Sequence, residues 1–203
     1  VQTFSTTPDA VRALRGNTDD VVYGDYPAMA YAARESAGTL EVVRRQFQTA
    51  NFGIALATSS SDLNTAMGAA LAGLAADGQY ARILNTWALG GGRIDVNEPS
   101  GDVPEASAVS QLADGTLTVG MDVSFAPMGF HDETGEMAGV DVELARALAQ
   151  QLGVEAEIVS MEFDNLFAAL DAGEIDVAIS AITVTEERQQ SYTFIEYLRS
   201  GSA

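Results

Sequence analysis

Runs of apolar residues separated by polar turns divide this chain into short strands and amphipathic helices. The clearest unit is DVAISAITVTEER, residues 176–188. It is predicted to form a buried strand at residues 177–179, a polar turn at residues 180–183 and then the start of a helix. Thr185 suits the N-cap position, and the two glutamates after it place carboxylates where the helix dipole favours them. The pattern is typical of a strand–turn–helix unit in an α/β protein.

Further helices and strands are predicted on both sides of this unit. The Ala-rich segment 60–74 carries Leu63, Met67 and Leu71 at helical spacing, and Trp87 is expected to lie in the core of the protein. Predicted strands are residues 1–4, 20–23, 40–43, 51–56 and 117–120, and predicted helices are residues 7–15, 27–35, 60–74 and 80–89.

Composition limits the classes of function. The chain has 203 residues, enough for one large or two small domains, and 47% of them are hydrophobic. Its formal net charge is -19, and its ten basic residues are all arginine, so nucleic acid and anionic membranes are not expected partners. There is no cysteine and no apolar run long enough to span a bilayer. Because the chain begins with Val1, we expect its start to be processed, trimmed or internal to a longer protein.

Arg188 is the first candidate for ligand binding. A cation in the first turn of a helix is unfavourable by ~0.3–1 kcal/mol, so its presence there calls for an explanation. A guanidinium beside the hydroxyls of Ser180 and Thr183 and nearby backbone N–H groups suits a carboxylate. The alternative is that Arg188 forms a surface ion pair. The residues alone leave both interpretations open.

Other candidates lie next to predicted strands. Asp122 and Phe125 belong to the loop that follows strand 117–120, and open α/β sheets bind ligands at the carboxyl ends of their strands. Phe163 precedes a helix, and Asp25 follows strand 20–23. Each has a structural alternative: Asp122 capping its own loop, Asp25 capping the helix that Pro27 opens, and the two rings packing in the core.

Three segments resemble one known family. DVAISAITVTEER, LTVGMDVSFAPMGFHDETGEMAGVDVELARALAQQLGV (residues 117–154) and FDNLFAALDAGEIDVAIS (residues 163–180) are similar in order and spacing to the family 3 periplasmic solute-binding proteins. Members of that family are the polar amino-acid receptors of ABC importers. The resemblance implies the periplasmic-binding-protein-like (Venus flytrap) α/β fold, in which two lobes close over a ligand.

The resemblance also implies roles for the candidate residues. The ligand would be a polar or basic amino acid (arginine, ornithine, lysine, histidine or a glutamine-like one), with no cofactor and no metal. Its carboxylate would meet Arg188 and the 180–183 turn, its ammonium Asp25 from the opposite lobe, and its aliphatic stem two phenylalanine rings. Asp122 would face the ammonium or the distal polar group. The implied ligand-binding residues are Asp25, Asp122, Phe125, Phe163, Ser180, Ala181, Thr183 and Arg188.

The order of segments along the chain differs from that of the family. We expect lobe one to be largely complete and lobe two partial, in a circularly permuted protein or in a fragment across the junction of two tandem binding domains. A domain-swapped dimer is one way to supply missing strands. The expected division is residues 1–50 for the back half of lobe two, 51–90 for the end of lobe one, 91–111 for a flexible acidic linker, 112–197 for the beginning of lobe one and 198–203 for the crossover.

The expected function is ligand delivery to the permease of an ABC importer by hinge closure, in the periplasm or outside the cell, with a lipoprotein anchor as one form of attachment. Two alternatives are a ligand-sensing domain of a tandem receptor and a dehydratase-type enzyme on the same fold. The single histidine, His131, lies in the acidic turn HDETGE, which is expected to be a solvated hairpin turn and not a calcium loop.

Overall fold

The computed structural model describes residues 1–4, 7–43, 47–96 and 106–202, as a set of short helices and strands. The helices are α1 (Thr7–Arg15), α2 (Tyr26–Arg34), α3 (Ser61–Ala76), α4 (Gln79–Thr86), α5 (Val140–Leu152), α6 (Leu166–Ala172) and α7 (Glu186–Gln189). The strands are β1 (Phe47–Ala57), β2 (Thr116–Met121), β3 (Ser124–Phe125), β4 (Gly129–His131), β5 (Met137–Ala138), β6 (Glu155–Ser160), β7 (Val177–Ala178) and β8 (Tyr192–Ser202). Single 3-10 turns occur at Gly90–Gly92, Ala106–Ala108, Ser110–Leu112 and Phe163–Asn165.

A five-stranded mixed sheet with the order β6-β2-β7-β1-β8 forms the centre of the fold. Strand β2 runs parallel to both β6 and β7, whereas β1 runs antiparallel to β7 and β8. The prediction of a mixed α/β fold is confirmed. Since β2, β6 and β7 are parallel, the loops that follow them meet at one edge of the sheet.

Strands β1 and β8 form a long antiparallel pair from Phe47↔Ser202 to Ala57↔Tyr192. The expected boundaries after residues 50 and 197 fall inside these two strands. Their register shifts between Phe52↔Leu198 and Gly53↔Glu196, which leaves Tyr197 as one extra residue in β8. This β-bulge redirects the side chain of Tyr197.

The main hydrophobic core lies between the sheet and the pair α3 and α5. Leu63, Met67 and Leu71 on α3 have at most 1% of their surface exposed, as the helical spacing predicted. Trp87 is buried, and its indole Nε1 donates to Glu143 Oε1 of α5 at 3.0 Å. A second, smaller cluster packs α6 against β7.

Three predicted strands near the start of the chain are wrong. Residues 1–4, 20–23 and 40–43 are described by the structure but belong to no strand. Val21 is 78% exposed, although the strand predicted at residues 20–23 was expected to be buried. Val43 is 70% exposed. An apolar run becomes a strand only if a neighbouring strand pairs with it through hydrogen bonds. Near these segments the described residues form one isolated bridge, Asp25↔Ser202, which is too short to make a strand.

The predicted linker at residues 91–111 packs on the core at both of its described ends. Gly92 and Val109 are buried, and Leu112 after them is also buried. Residues 97–105 lie outside the described residues. The residues on both sides of 97–105 are thus packed against the rest of the protein.

Candidate functional site

Three loops at the carboxyl ends of β2, β6 and β7 meet to form the candidate site. Asp122 links all three of them. Its backbone N–H donates to Ser180 Oγ at 3.0 Å, and its carboxylate accepts the N–H groups of Ser124 at 2.9 Å and Phe163 at 3.1 Å. The structural role considered for Asp122, capping of loop backbone, is therefore present in the fold.

Arg188 leans back across the turn that precedes its helix. Its backbone N–H donates to the Thr185 hydroxyl at 3.2 Å, so Thr185 is the N-cap, as predicted. Its guanidinium Nη1 donates to the carbonyl oxygen of Thr183 at 2.8 Å. The guanidinium carbon also lies 5.5 Å from the ring centre of Phe163 and 5.3 Å from that of Phe167, within the range of cation–π attraction.

The surface ion pair considered for Arg188 does not form. Throughout the described ranges, the ion pairs are those of Arg12 with Asp9 and of Arg34 with Glu35. Arg188 therefore keeps N–H donors available beside the aromatic rings. A planar guanidinium in this position can bind a carboxylate with two parallel hydrogen bonds.

A cavity of about 570 Å³ opens beside this guanidinium. Its walls combine aromatic rings, hydroxyls and two exposed acids. The lining residues are Phe163, Asp164, Phe167, Thr185, Glu187, Arg188, Ser191 and Tyr192. Apolar rings with a few polar groups are the usual lining of a small-molecule site.

The turn between β7 and α7 is anchored by hydrogen bonds to the protein interior. Ala181 adopts a left-handed conformation with φ of 47°, and its N–H donates inward to Asp141 Oδ2 at 2.8 Å. The carbonyl of Ile182 accepts from Gly53 N, and Val184 N donates to the Asn51 carbonyl, both at 2.9 Å. The N–H of Ala181, a residue predicted to bind the ligand, thus faces the protein interior instead of the open side of the turn.

Of the eight predicted ligand-binding residues, Phe163 and Arg188 line the cavity, whereas Phe125 and Asp25 lie apart even from the three loops. Phe125 pairs with Gly129 in a short hairpin and packs against the main core, whereas Phe163 belongs to the smaller cluster. Asp25 occupies the N-cap position of α2 without a capping side-chain bond, next to Ser202. Ser202 and the cavity residue Tyr192 are the two ends of β8, which separates them by roughly 33 Å at about 3.3 Å per residue.

Asp141, Tyr197 and Phe167 were not predicted from the sequence as residues of the site. Asp141 is completely buried in the first turn of α5, and its Oδ1 accepts the Tyr197 hydroxyl at 2.6 Å. Burial raises the pKa of Asp141 to about 6, although both hydrogen bonds oppose that rise. Burial also raises the pKa of the Tyr197 phenol. An acid on the buried, otherwise apolar face of VDVELARALA was the available signal.

The acidic turn before α5 is a hairpin turn, as predicted. It connects β4 with β5, and Asp132 Oδ1 accepts the N–H groups of Thr134 at 2.8 Å and Glu136 at 3.0 Å. The hydroxyl of Thr134 and these N–H groups hold the pKa of Asp132 below its usual value. His131 is exposed and contacts the Gly135 carbonyl, away from the cavity.

Comparison with known proteins identifies the family of this region. Residues 117–203 match the bacterial extracellular solute-binding proteins, family 3. This part of the chain belongs to that family. The match includes the loops of the candidate site, from Asp122 to Arg188. The resemblance inferred from the motifs is therefore confirmed.

Curated relatives of the family 3 region are binding proteins. The chain is 40% identical over 80 residues to the L-cystine-binding protein TcyJ of Escherichia coli K12, covering 39% of this chain and 30% of that protein. It is 35% identical over 99 residues to the arginine-binding protein ArgT of Corynebacterium glutamicum, covering 49% of this chain and 31% of that protein. The chain thus spans about a third of the length of these relatives.

Solved structures of similar sequence include arginine-bound proteins. The arginine-bound form of domain 1 from TmArgBP is 35% identical, covers 46% of this chain and 85% of that chain, and has a TM-score of 0.40. The ancestral amino-acid-binding protein AncCDT-1, described as a precursor of cyclohexadienyl dehydratase, is 40% identical over 39% of this chain and 35% of that chain, with a TM-score of 0.38. Among the described residues, no helix is long and apolar enough to cross a membrane.

Proposed function

We propose that this chain is part of an amino-acid-binding protein that takes up a cationic amino acid outside the cytoplasm and presents it to the permease of an ABC importer. The observation that carries the proposal is the environment of Arg188. Its guanidinium forms no ion pair with a carboxylate of the described residues, faces two phenylalanine rings and borders a cavity of small-molecule size. The relative named for arginine binding supports a cationic ligand, and the one named for cystine binding supports an amino acid in general.

The chemistry of the cavity fits a zwitterion with surplus positive charge. Arg188 would bind the α-carboxylate, while the rings of Phe163 and Phe167 would cover the aliphatic stem. Each ring over a cationic or apolar stem contributes ~0.5–2 kcal/mol. Asp164 and Glu187 line the same cavity and would attract a distal guanidinium or ammonium. These features favour L-arginine, L-ornithine or L-lysine, with L-histidine and a glutamine-like ligand as weaker candidates.

Closure would use the strand pair β1 and β8, since these strands contain the predicted crossings between the lobes. Ligand contacts to both lobes would shift an open–closed equilibrium toward the closed form. Asp25, as the predicted partner of the α-ammonium, would reach the ligand from a second lobe. We also propose that the chain is circularly permuted or spans the junction of two tandem domains. A domain-swapped dimer would supply the missing strands of lobe two.

We propose binding in preference to catalysis. A dehydratase needs an acid or base that reaches the substrate and titrates near neutral pH. The described acid whose pKa is raised to about 6, Asp141, is sealed in the core and cannot touch a ligand. A ligand-sensing domain of a tandem receptor would use the same ligand contacts. It would differ from the proposed function only in its protein partner, which would be the rest of the receptor instead of a permease.

Calorimetric titration of the chain with L-arginine, L-lysine, L-histidine and L-glutamine at neutral pH tests the proposal. We expect L-arginine to bind and, at a hundred times its Kd, to stabilise the fold by ~2.7 kcal/mol. For a chain of this size that corresponds to a Tm increase of about 5–10 °C.

Arg188→Ala should weaken L-arginine binding by about tenfold or more, because a hydrogen bond to a charged group contributes ~1.5–3 kcal/mol. Arg146→Ala is the matched control, since Arg146 is exposed on α5 outside the cavity. If no amino acid binds, or if both variants bind like the parent chain, the proposed function is wrong for this chain.

A further inference from the structure

Asp141 occupies an unusual position for a carboxylate. It is fully buried at the start of α5, where its backbone N–H donates to the Met128 carbonyl at 2.9 Å. Gly139 before it has φ of 126°, and a side chain there would collide with the backbone of Met128. The backbone around Asp141 is thus tightly fixed. Such burial of an acid is costly unless hydrogen bonds compensate it.

The two partners of this carboxylate come from different parts of the site. Oδ2 accepts the N–H of Ala181 from the turn that leads to Arg188, and Oδ1 accepts the hydroxyl of Tyr197 from β8. Tyr197 is the bulged residue of that strand. Its own carbonyl accepts the Tyr80 hydroxyl at 2.6 Å, so both ends of the residue are hydrogen-bonded.

The turn at residues 180–183 needs support at Ala181. A left-handed conformation is unfavourable for a residue with a Cβ, so a fixed partner must hold Ala181 in it. The bonds of Ile182 and Val184 with β1 anchor the chain just after Ala181. The bond to Asp141 supplies the remaining restraint from the opposite side.

We propose that Asp141 and Tyr197 are positioning residues for the ligand-binding turn: together they hold Ala181 in its left-handed conformation and connect the turn to the bulge of β8. The arrangement of the hydroxyl and carbonyl groups that lead to Arg188 then depends on the position of β8. Movement of β8 during hinge closure changes the turn, and ligand binding at the turn shifts β8 in return. The effect on ligand affinity rests on the proposed function, whereas the restraint on the turn does not.

The test uses the whole chain, labelled with ¹⁵N, and three variants. Asp141→Asn and Tyr197→Phe each remove one side of the connection. Tyr80→Phe is the matched control, because it removes a buried tyrosine hydroxyl bonded to the Tyr197 carbonyl and to the Ile94 N–H but leaves the bonds of Asp141 to Ala181 and Tyr197 in place. Amide hydrogen exchange and the amide resonance of Ala181 report on the turn without ligand, and calorimetry with L-arginine reports on affinity.

We expect exchange at Ala181 to accelerate about tenfold or more in Asp141→Asn and Tyr197→Phe, the change that 1.4 kcal/mol produces. The Kd for L-arginine should rise by a similar factor in both. Tyr80→Phe should lower the Tm while leaving the Ala181 resonance and the affinity unchanged. Should one test variant fail to fold, the other one decides.

Two results would overturn the inference: parent-like exchange at Ala181 in both test variants, or an equal effect of Tyr80→Phe. If the parent chain binds no L-arginine, the proposed function fails by itself. The exchange of Ala181 would then still decide whether Asp141 and Tyr197 hold the turn.

Discussion

Replacing Asp141 by Asn should make the stability of the protein respond differently to pH. The carboxyl has a pKa of about 6 in the fold and 3.8 as its ordinary value. Because the folded pKa is raised, the stability contribution of the protonated acid is full below about pH 4 and is lost as pH rises through about 6. The difference of roughly 2.2 units corresponds to about 3 kcal/mol at 1.36 kcal/mol per unit. An amide at this position cannot titrate, so the variant escapes the loss.

The measurement is urea unfolding of both proteins at several values between pH 4 and pH 8. The free energy of unfolding of Asp141→Asn minus that of the parent should increase by up to about 3 kcal/mol across this range. Taking the difference cancels the contributions of the other acids. Glu157→Gln, at an exposed position of β6, is the control and should show no comparable change.

A difference that stays constant from pH 4 to pH 8 would refute the reasoning. It would mean that Asp141 is ionised as easily in the folded chain as in the unfolded one. In that case the hydrogen bonds from Ala181 and Tyr197 would fully offset the effect of burial.

Three further substitutions test the packing described above. Gly53→Ala places a Cβ 2.8 Å from Val184 Cγ2 and should lower the free energy of unfolding by about 1–3 kcal/mol in urea titration. An unchanged free energy of unfolding would contradict the close approach of the turn to β1. Leu71→Ala removes a side chain that is 1% exposed and should cost about 2–5 kcal/mol in the same assay, so a neutral result would contradict its place in the core. Trp87→Phe loses the hydrogen bond to Glu143 and should lower the free energy of unfolding by about 0.5–1.5 kcal/mol. This effect should shrink in a Glu143→Ala background, which lacks the acceptor, and an equal effect in both backgrounds would contradict the pairing.

Sequence reasoning succeeded where local pattern and tertiary packing agree. The periodicity of α3, the N-cap at Thr185 and the strand 51–56 all recur in the structure. The helix and its N-cap are decided by residues close together in the chain, whereas strand 51–56 also needed its distant partner β8. The family motifs between Asp122 and Arg188 also follow from local sequence, because the βα loops of a parallel sheet place their residues at one edge.

The same reasoning failed for the strands predicted at 20–23 and 40–43. Their apolar runs satisfy the pattern of buried strands, yet Val21 and Val43 are largely exposed. Periodicity describes one segment, whereas a strand requires a hydrogen-bonding partner elsewhere in the chain. The ligand role predicted for Asp25 depends on that same region, and Asp25 lies by Ser202 at the far end of β8 from the cavity. Its role stays a prediction.

By itself, the sequence determined the fold class, the family of residues 117–203 and the neighbourhood of Arg188 with the turn before it. These depend on short-range patterns and on motifs with fixed spacing. Only the tertiary structure decided that Arg188 faces Phe163 and Phe167, and that Asp141, Ala181 and Tyr197 meet in the core. Those contacts join residues 21 to 56 positions apart in the chain, and the longest runs from Tyr197 to Asp141. No local pattern encodes them, because the bulge in β8 and the burial of one carboxylate arise only when the strands and helices pack together.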